Sequence, residues 1–231
     1  MISFFIPIRS GSKRIKNKNT RSLPSFSFGL IEIKIKQIQK FRNLVKKFKI
    51  KQDFEYIVST NCIKTIKFLK NYKWIKVHNR SKKLSLDDSL DDLIKILPRI
   101  CNGNFILWTH VTSPFFDQYE YINFIKNFLR GKFNSAFSAD LIQKFIYNHK
   151  KKWISHKSNK KKWPRTQDLD PMYVANSGAF IAKRKIYLKD KNRICKNPLP
   201  IITPKAKGFD VDDINDFKYL KEILKSGQKI I

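Results

Sequence analysis

The fold of this chain is decided by its opening stretch, Ile2-Ser3-Phe4-Phe5-Ile6-Pro7-Ile8, and by the loop that follows, Arg9-Ser10-Gly11-Ser12-Lys13-Arg14. A short apolar run that ends at a Gly/Ser turn is typical of a strand buried on both faces, as in parallel sheets. The backbone N–H groups of such a turn, together with fixed cations, form a concavity that binds anions. We therefore predict a buried first strand with a triphosphate-binding loop at its carboxyl end.

The loop also has a plainer interpretation, as a solvated basic turn in a lysine-rich chain. It is not a Walker motif, because no Gly-Lys-Ser/Thr follows the first glycine after a four-residue gap. The residue types alone leave the phosphate site and the solvated turn both open.

The composition is strongly basic. The 231 residues include 49 Lys and Arg against 18 Asp and Glu, which gives a formal net charge of +31. Such a charge is compatible with a nucleic-acid-binding protein. However, the lysines are spread over nearly every segment and no nucleic-acid-binding signature is present. We therefore favour a surface that has drifted toward lysine, with only non-specific binding of nucleic acid.

The cysteines and the apolar runs indicate a cytoplasmic protein. Cys62, Cys101 and Cys195 are odd in number and lack CxxC spacing, so we expect reduced thiols with neither a disulfide framework nor a zinc site. The first apolar stretch is too short for a signal peptide. No run of about 18 uncharged apolar residues exists, so we expect no membrane insertion.

Strand-like and helix-like patterns alternate up to Ala139. Strands are predicted over 54–60, 74–77 and 104–109, and helical spacing of apolar residues runs through 31–41, 63–69, 90–97 and 121–128. Residues 31–35 also alternate as a strand would, and Ser89 is a candidate cap for the third helix. Regular βα alternation predicts an α/β fold, with one domain over 1–231, a mostly parallel sheet and ligands at its carboxyl edge.

Two later stretches differ from this pattern. Residues 144–162 are heavily basic with scattered aromatic residues, which by itself indicates a solvated excursion too poor in apolar residues to be a domain. In the segment Asp210-Val211-Asp212, alternation places both carboxylates on one face. The charge preference of a helix N-terminus accounts for Asp213 and Asp216, and it explains Asp210 and Asp212 less well.

Several stretches resemble the CMP-sialic acid synthetases, the cytidylyltransferases that activate nonulosonic acids. The loop from Arg9 to Arg21 matches the family's Arg-x-Gly-Ser-Lys-Arg-Leu/Ile-Pro-x-Lys-Asn, with Lys16 in place of proline. The segment His110-Val111-Thr112-Ser113-Pro114 resembles Gln-Pro-Thr-Ser-Pro, with His110 in place of glutamine. Arg80, Leu84 and Asp87 keep a weaker pattern, Arg-Pro-x-x-Leu-Ala-x-Asp, with Ser81 in place of proline.

The resemblance continues toward the carboxyl terminus. The segment 165–169 matches Arg-x-Gln-Asp-Leu, and 176–180 matches Asn-Gly-Ala-Ile-Tyr with one residue inserted. Asp210 and Asp212 match an Asp-x-Asp metal signature. The resemblance therefore implies a Rossmann-like three-layer nucleotidyltransferase fold with a protruding segment, about 140–175, that helps to form a homodimer.

The same resemblance implies the reaction of CTP with a nonulosonic, sialic-acid-like sugar to give the CMP-sugar and pyrophosphate. The implied nucleotide contacts are Arg9, Gly11, Ser12, Lys13, Lys18, Asn19 and Arg80. The implied sugar contacts are His110, Thr112, Ser113, Arg165, Gln167, Tyr173 and Asn176. Asp210 and Asp212 are implied to hold Mg²⁺ and, with Lys18, to be catalytic.

Two alternatives stay open. One is a related nucleotidyltransferase that uses 3-deoxy-manno-octulosonate, another sugar or another nucleotide. The other is a basic nucleic-acid-binding protein or an inactive relative. The pair Asp210 and Asp212 speaks against the second alternative, because a protein that binds a phosphate backbone gains nothing from clustered carboxylates.

Overall fold

Strands and helices alternate along a computed structural model that describes residues 1–86, 90–156 and 161–231. The described strands are β1 Ile2–Ile8, β2 Phe54–Thr60, β3 Ile75–Asn79, β4 Phe105–Trp108, β5 Ser135–Ile142, β6 Met172–Lys183 and β7 Leu199–Ile202. The described helices are α1 Gly29–Leu44, α2 Ile63–Leu69, α3 Leu90–Ile100, α4 Gln118–Arg130, α5 Arg184–Lys189 and α6 Ile214–Lys225.

The strands form one sheet in the order β3-β2-β1-β4-β6-β5-β7. Strand β1 pairs in parallel with β2 on one side and with β4 on the other, and β2 pairs in parallel with β3. Strand β6 is antiparallel to both of its neighbours, β4 and β5, while β5 and β7 are parallel. The prediction of an α/β fold with a mostly parallel sheet is confirmed.

Helices cover both faces of the sheet, as the three-layer expectation requires. Alternate residues of β1 point to opposite faces, so that Phe4 and Ile6 pack with α1 and α4 while Phe5 packs with α3 and α5. All three side chains are fully buried. This burial on both faces explains why β1 reads as a continuous apolar run rather than an alternating one.

The ambiguous stretch 31–35 is helical, within α1. Its alternation is misleading because this part of α1 is buried nearly all round, including Ile31, Ile33 and Ile35. Tertiary packing therefore overrides the local pattern. The expected cap Ser89 and the residue Asp87 lie outside the described residues.

The excursion links β5 to β6, and within it Tyr147 and Trp153 form an isolated antiparallel bridge. Trp153 also packs against Phe145 and Trp163 with ring centroids 6.0 and 5.5 Å apart. The scattered aromatic residues of this segment thus form a small cluster of their own. Among the described helices, none combines the length and apolar character that crossing a bilayer requires.

A lysine lies inside the core beneath the carboxyl edge of the sheet. The ammonium of Lys34, on α1, donates to the carbonyl oxygens of Ser113 (3.0 Å) and Phe116 (2.9 Å) and lies 5.2 Å from the centroid of the Tyr121 ring. Burial lowers the pKa of Lys34 from 10.5 to about 7, against the opposing attraction of Asp117 and Asp210. This side chain fixes the loop that follows β4.

We predict that Lys34 makes stability depend on pH. Between pH 7 and 10 the unfolded chain holds a proton on this lysine that the folded chain has lost, so stability rises with pH. In urea titrations, the free energy of unfolding of the wild type should gain about 1 kcal/mol per pH unit relative to Lys34→Met. The exposed Lys40, on the same helix, provides the control Lys40→Met, whose curve should run parallel to the wild type. If the stability of Lys34→Met changed with pH in the same way as that of the wild type does, the pKa of Lys34 would not be lowered by folding and the prediction would be wrong.

Candidate active site

A cleft of about 570 Å³ lies beyond the carboxyl ends of β1 and β4. Basic and polar side chains form one part of its lining, and the other part includes Leu84, Leu86, Leu90, Leu93 and Trp108, here called the apolar wall. Ten of the residues predicted from the sequence to bind ligand or metal line this cleft: Arg9, Ser12, Lys13, Lys18, Asn19, Arg80, His110, Thr112, Asp210 and Asp212.

The basic side is the loop that follows β1. Gly11 adopts a positive φ of 77°, which suits glycine, and it shapes the turn without lining the cleft. Asn19 donates to the carbonyl oxygen of Arg9 (3.3 Å), while its own Oδ1 is buried without a partner among the described residues. A buried acceptor of this kind suits a donor supplied by a ligand.

The acidic segment is held by the backbone of Val211. The Val211 N–H donates to the carbonyl oxygen of Thr112 (2.8 Å), and the Val211 carbonyl accepts from Lys18 Nζ (2.8 Å). Because Val211 is fully buried, its neighbours Asp210 and Asp212 both face the cleft, as the alternation predicts.

The two cleft carboxylates have different partners. Asp210 accepts from the buried Ser113 hydroxyl (3.4 Å), and Asp212 pairs with Arg14 (3.0 Å) at an exposed position. The next acids are structural, since Asp213 and Asp216 form a capping box at the start of α6. The interpretation of those two as helix N-terminal acids is confirmed.

Cations in the cleft are partly desolvated. Burial lowers the pKa of Lys18, and the charges of Asp210 and Asp212 oppose the shift. Arg80 is buried and donates to the Ser59 hydroxyl (3.2 Å) and carbonyl (2.9 Å), and no described carboxylate forms an ion pair with it. Burial and the charge of Arg9 lower the pKa of Arg80 to about 10. A buried cation held only by neutral groups favours an anionic ligand nearby.

His110 is neutral. Burial, followed by the charges of Arg193, Lys34 and Lys18, lowers the pKa of His110 to about 3. Its Nε2 lies 2.8 Å from the indole Nε1 of Trp108.

A sequence profile of the family described as cytidylyltransferase matches residues 3–230, nearly the whole chain. The chain belongs to the cytidylyltransferase family. This membership makes it a nucleotidyltransferase, while the more specific resemblance to the synthetases for sialic acid stays a prediction.

The solved structures of similar fold agree with this architecture. A CMP:2-keto-3-deoxy-manno-octonic acid synthetase complexed with CTP superposes with a TM-score of 0.65 at 11% identity, covering 98% of this chain and 99% of the other. A 4-diphosphocytidyl-2C-methyl-D-erythritol synthase from Anaerococcus prevotii gives a TM-score of 0.64 at 12% identity, covering 97% and 98%. At these identities the similarity shows the fold alone. No curated protein matches the chain.

Five of the seven predicted sugar contacts of this cytidylyltransferase do not line the cleft: the buried Ser113, Arg165, Gln167, Tyr173 and Asn176. Arg165 pairs with its neighbour Asp168 (2.9 Å), and Gln167 is exposed in the same short turn. Tyr173 lies in the first half of β6, which extends past the end of β4, whose last residue Trp108 pairs with Phe180. Arg165, Gln167 and Tyr173 are therefore not brought to the cleft.

Asn176 also turns away from the cleft, contrary to the sequence-based expectation. Its side chain accepts from the Ser138 hydroxyl and the Gly178 N–H, and it donates to Asp140 (3.0 Å) and the Thr203 hydroxyl (2.9 Å). All four hydrogen-bonding positions are thus satisfied inside the protein. The amide joins β6 to β5 and to the residues after β7.

A glycine completes this junction. A Cβ on Gly208 would lie 2.1 Å from Asp140 Oδ1 and 2.9 Å from Asn176 Nδ2, so a larger residue would push the turn Lys205–Gly208 away. This turn leads directly into Asp210. Asn176 therefore packs against the turn that precedes the acidic segment and helps to position it.

Sequence reasoning gave no ligand contact to Arg14, Ser177 or the leucines of the apolar wall, all of which line the cleft. Leu90 and Leu93 had a signal only as helix-spaced residues, and Leu84 only as part of the weaker pattern that begins at Arg80. Ser177 is adjacent to the matched Asn176 in β6, and because neighbouring strand residues point to opposite faces, Ser177 lines the cleft and Asn176 does not.

We predict that Asn176 is structural in the cytidylyltransferase. Asn176→Ala leaves buried partners of the amide unpaired, so the free energy of unfolding should fall by about 2–3 kcal/mol in urea titrations. The exposed Gln167 gives the control Gln167→Ala, expected within about 0.5 kcal/mol of the wild type. Unchanged stability in Asn176→Ala would contradict this assignment.

Proposed function

We propose that the protein transfers a cytidylyl group from CTP to a nonulosonic, sialic-acid-like sugar acid, releasing pyrophosphate. The observation that carries this proposal is that the hydrogen bond from Lys18 to the Val211 carbonyl brings the basic loop next to the carboxylates of Asp210 and Asp212 in one cleft. Membership of the cytidylyltransferase family supports the nucleotide, and so does the similarly folded synthetase complexed with CTP. The motif resemblance supports the sugar.

In this proposal the cleft divides into a phosphate side and a base side. Arg9, Lys13 and Lys18 hold the triphosphate, for which their charge is suited. The unpartnered Oδ1 of Asn19 accepts from the ribose or the base. The apolar wall provides contact area for a flat pyrimidine, and the buried Arg80 lines the same cleft.

The chemistry is an in-line displacement at the α-phosphorus. The anomeric hydroxyl oxygen forms the new bond to phosphorus and releases its proton to water, while the bond to the β-phosphate oxygen breaks and pyrophosphate leaves. Catalysis then consists of positioning and of neutralising charge on the phosphoryl oxygens. Lys18 is suited to both, because its ammonium is fixed by the Val211 carbonyl.

The donor set in the cleft fits Mg²⁺. No cluster of three or more His, Cys, Asp or Glu suited to a metal occurs within the described ranges. Two carboxylates without a third protein ligand match a cation that takes its remaining ligands from water and substrate phosphates. Asp210 and Asp212 would hold the ion, which when bound supplies charge neutralisation at the α-phosphate.

We also propose that the protein is a homodimer in which the excursion contacts a second copy. Several large apolar side chains of this region are about half exposed or more, among them Tyr147, Ile154, Trp163, Tyr173 and Val174. Apolar clusters of this kind commonly mark a protein contact. In such a dimer, Arg165 and Gln167 of one subunit would contact the sugar acid bound to the other subunit.

The proposal is tested by measuring pyrophosphate release from each of the four NTPs with a panel of sugar acids. We expect release with CTP and with sialic, legionaminic or pseudaminic acid, and little with 3-deoxy-manno-octulosonate or with ATP, GTP and UTP. Selective turnover of 3-deoxy-manno-octulosonate would replace the sugar assignment, and absence of release with every pair would refute the enzymatic proposal.

We predict that Asp212→Asn lowers turnover on the order of 10²-fold or more, because it removes charge that binds Mg²⁺. Melting temperature should change little, since the Arg14–Asp212 pair is exposed at both ends. Asp213→Asn is the matched control, because it removes the same charge one residue away and asparagine still caps α6. Near-normal turnover of Asp212→Asn at limiting magnesium would place the metal elsewhere.

A further inference from the structure

The hydrogen bond between Trp108 and His110 fixes the tautomer of the histidine. An indole Nε1–H can only donate, so His110 Nε2, 2.8 Å away, must be the acceptor. The neutral ring then carries its single proton on Nδ1. Which nitrogen is protonated thus follows from the chemistry of the partner.

The surroundings keep the ring neutral. The Arg193 guanidinium lies 5.6 Å from the Trp108 ring centroid and 3.9 Å from that of Phe180. Arg193, Lys34 and Lys18 are the basic groups that act on His110, and the positive charge they carry opposes a proton on its ring. Protonation of His110 would add a further positive charge and would break the bond from Trp108.

The protonated nitrogen has no partner in the part of the chain that the structure describes. None of the described residues accepts a hydrogen bond from Nδ1, although His110 lines the cleft. The ring therefore presents one N–H donor and no free acceptor. Glutamine, the usual residue in the resembling family, presents both.

We propose that His110 is a specificity-determining residue whose Nδ1–H donates to an uncharged oxygen of the bound ligand, with Trp108 holding the donor in place. A neutral N–H suits a carbonyl or hydroxyl oxygen, which can belong to the base or to the sugar. The identity of the ligand rests on the proposed function. The tautomer lock, by which we mean that the Trp108 indole holds the His110 proton on Nδ1, does not depend on it. His110 cannot act as a base while Trp108 occupies Nε2.

The lock is tested by ¹⁵N NMR of the histidine rings, of which the chain has four. The signal that disappears in His110→Gln identifies His110. It should show the neutral Nδ1–H pattern throughout pH 5–8, whereas Trp108→Phe, which removes the donor, should allow the other tautomer or titration. An Nε2–H pattern, or titration of His110 in the wild type, would overturn the lock.

The ligand is tested by adding CTP and the sugar acid separately. A shift of the Nδ1 signal with CTP alone assigns the oxygen to the nucleotide, and a shift only with the sugar acid assigns it to the sugar. Binding proven by calorimetry without any shift would refute the donor role. Failure of both ligands to bind would instead refute the proposed function, and with it the ligand assignment.

Kinetics give a second measurement. His110→Phe should raise the KM of the contacted ligand roughly three- to tenfold, the value of one neutral hydrogen bond, with a smaller effect on kcat. His110→Gln, which keeps a donor, should recover most of this loss. Equal losses in both variants with unchanged melting temperatures would contradict a donor role.

Discussion

Strand β1 is the element on which the site depends, because it is hydrogen-bonded on both edges and buried on both faces. Its parallel neighbours β2 and β4 end at the same edge of the sheet. The basic loop, Arg80 and His110 follow these strands or their neighbour β3, so they meet at one cleft. This is the general reason that open α/β sheets bind ligands at their carboxyl edge.

The cleft is closed by residues distant in sequence. Lys18 and Val211 are 193 positions apart, and their hydrogen bond joins the loop after β1 to the segment before α6. Behind it, Lys34 holds the loop that contains Ser113, whose hydroxyl contacts Asp210. The acidic segment is thus held by the loop after β1, by the loop after β4 and, through Lys34, by α1.

The electrostatics of the cleft favour an anion. Burial lowers the pKa of Lys18, Arg80 and His110, and nearby cations lower it further, while for Lys18 the charges of Asp210 and Asp212 oppose the shift. Water is partly excluded and positive charge accumulates, so a negatively charged ligand gains more here than at the surface. The overall charge of +31 cannot distinguish this local arrangement from a lysine-rich exterior.

The sequence by itself determined the parallel sheet, the position of β1 and the facing of Asp210 and Asp212, because each rests on a local periodicity that burial enforces. Its motifs, in a fixed order, indicated a cytidylyltransferase, and the profile match shows that broader family while the sialic-acid group stays a prediction. Only the tertiary structure decided that Asn176 is saturated by Ser138, Asp140 and Thr203, and that Trp108 fixes His110 as a donor. A side chain's hydrogen-bond partners come from several strands and loops, and their meeting is set by packing rather than by neighbouring residues.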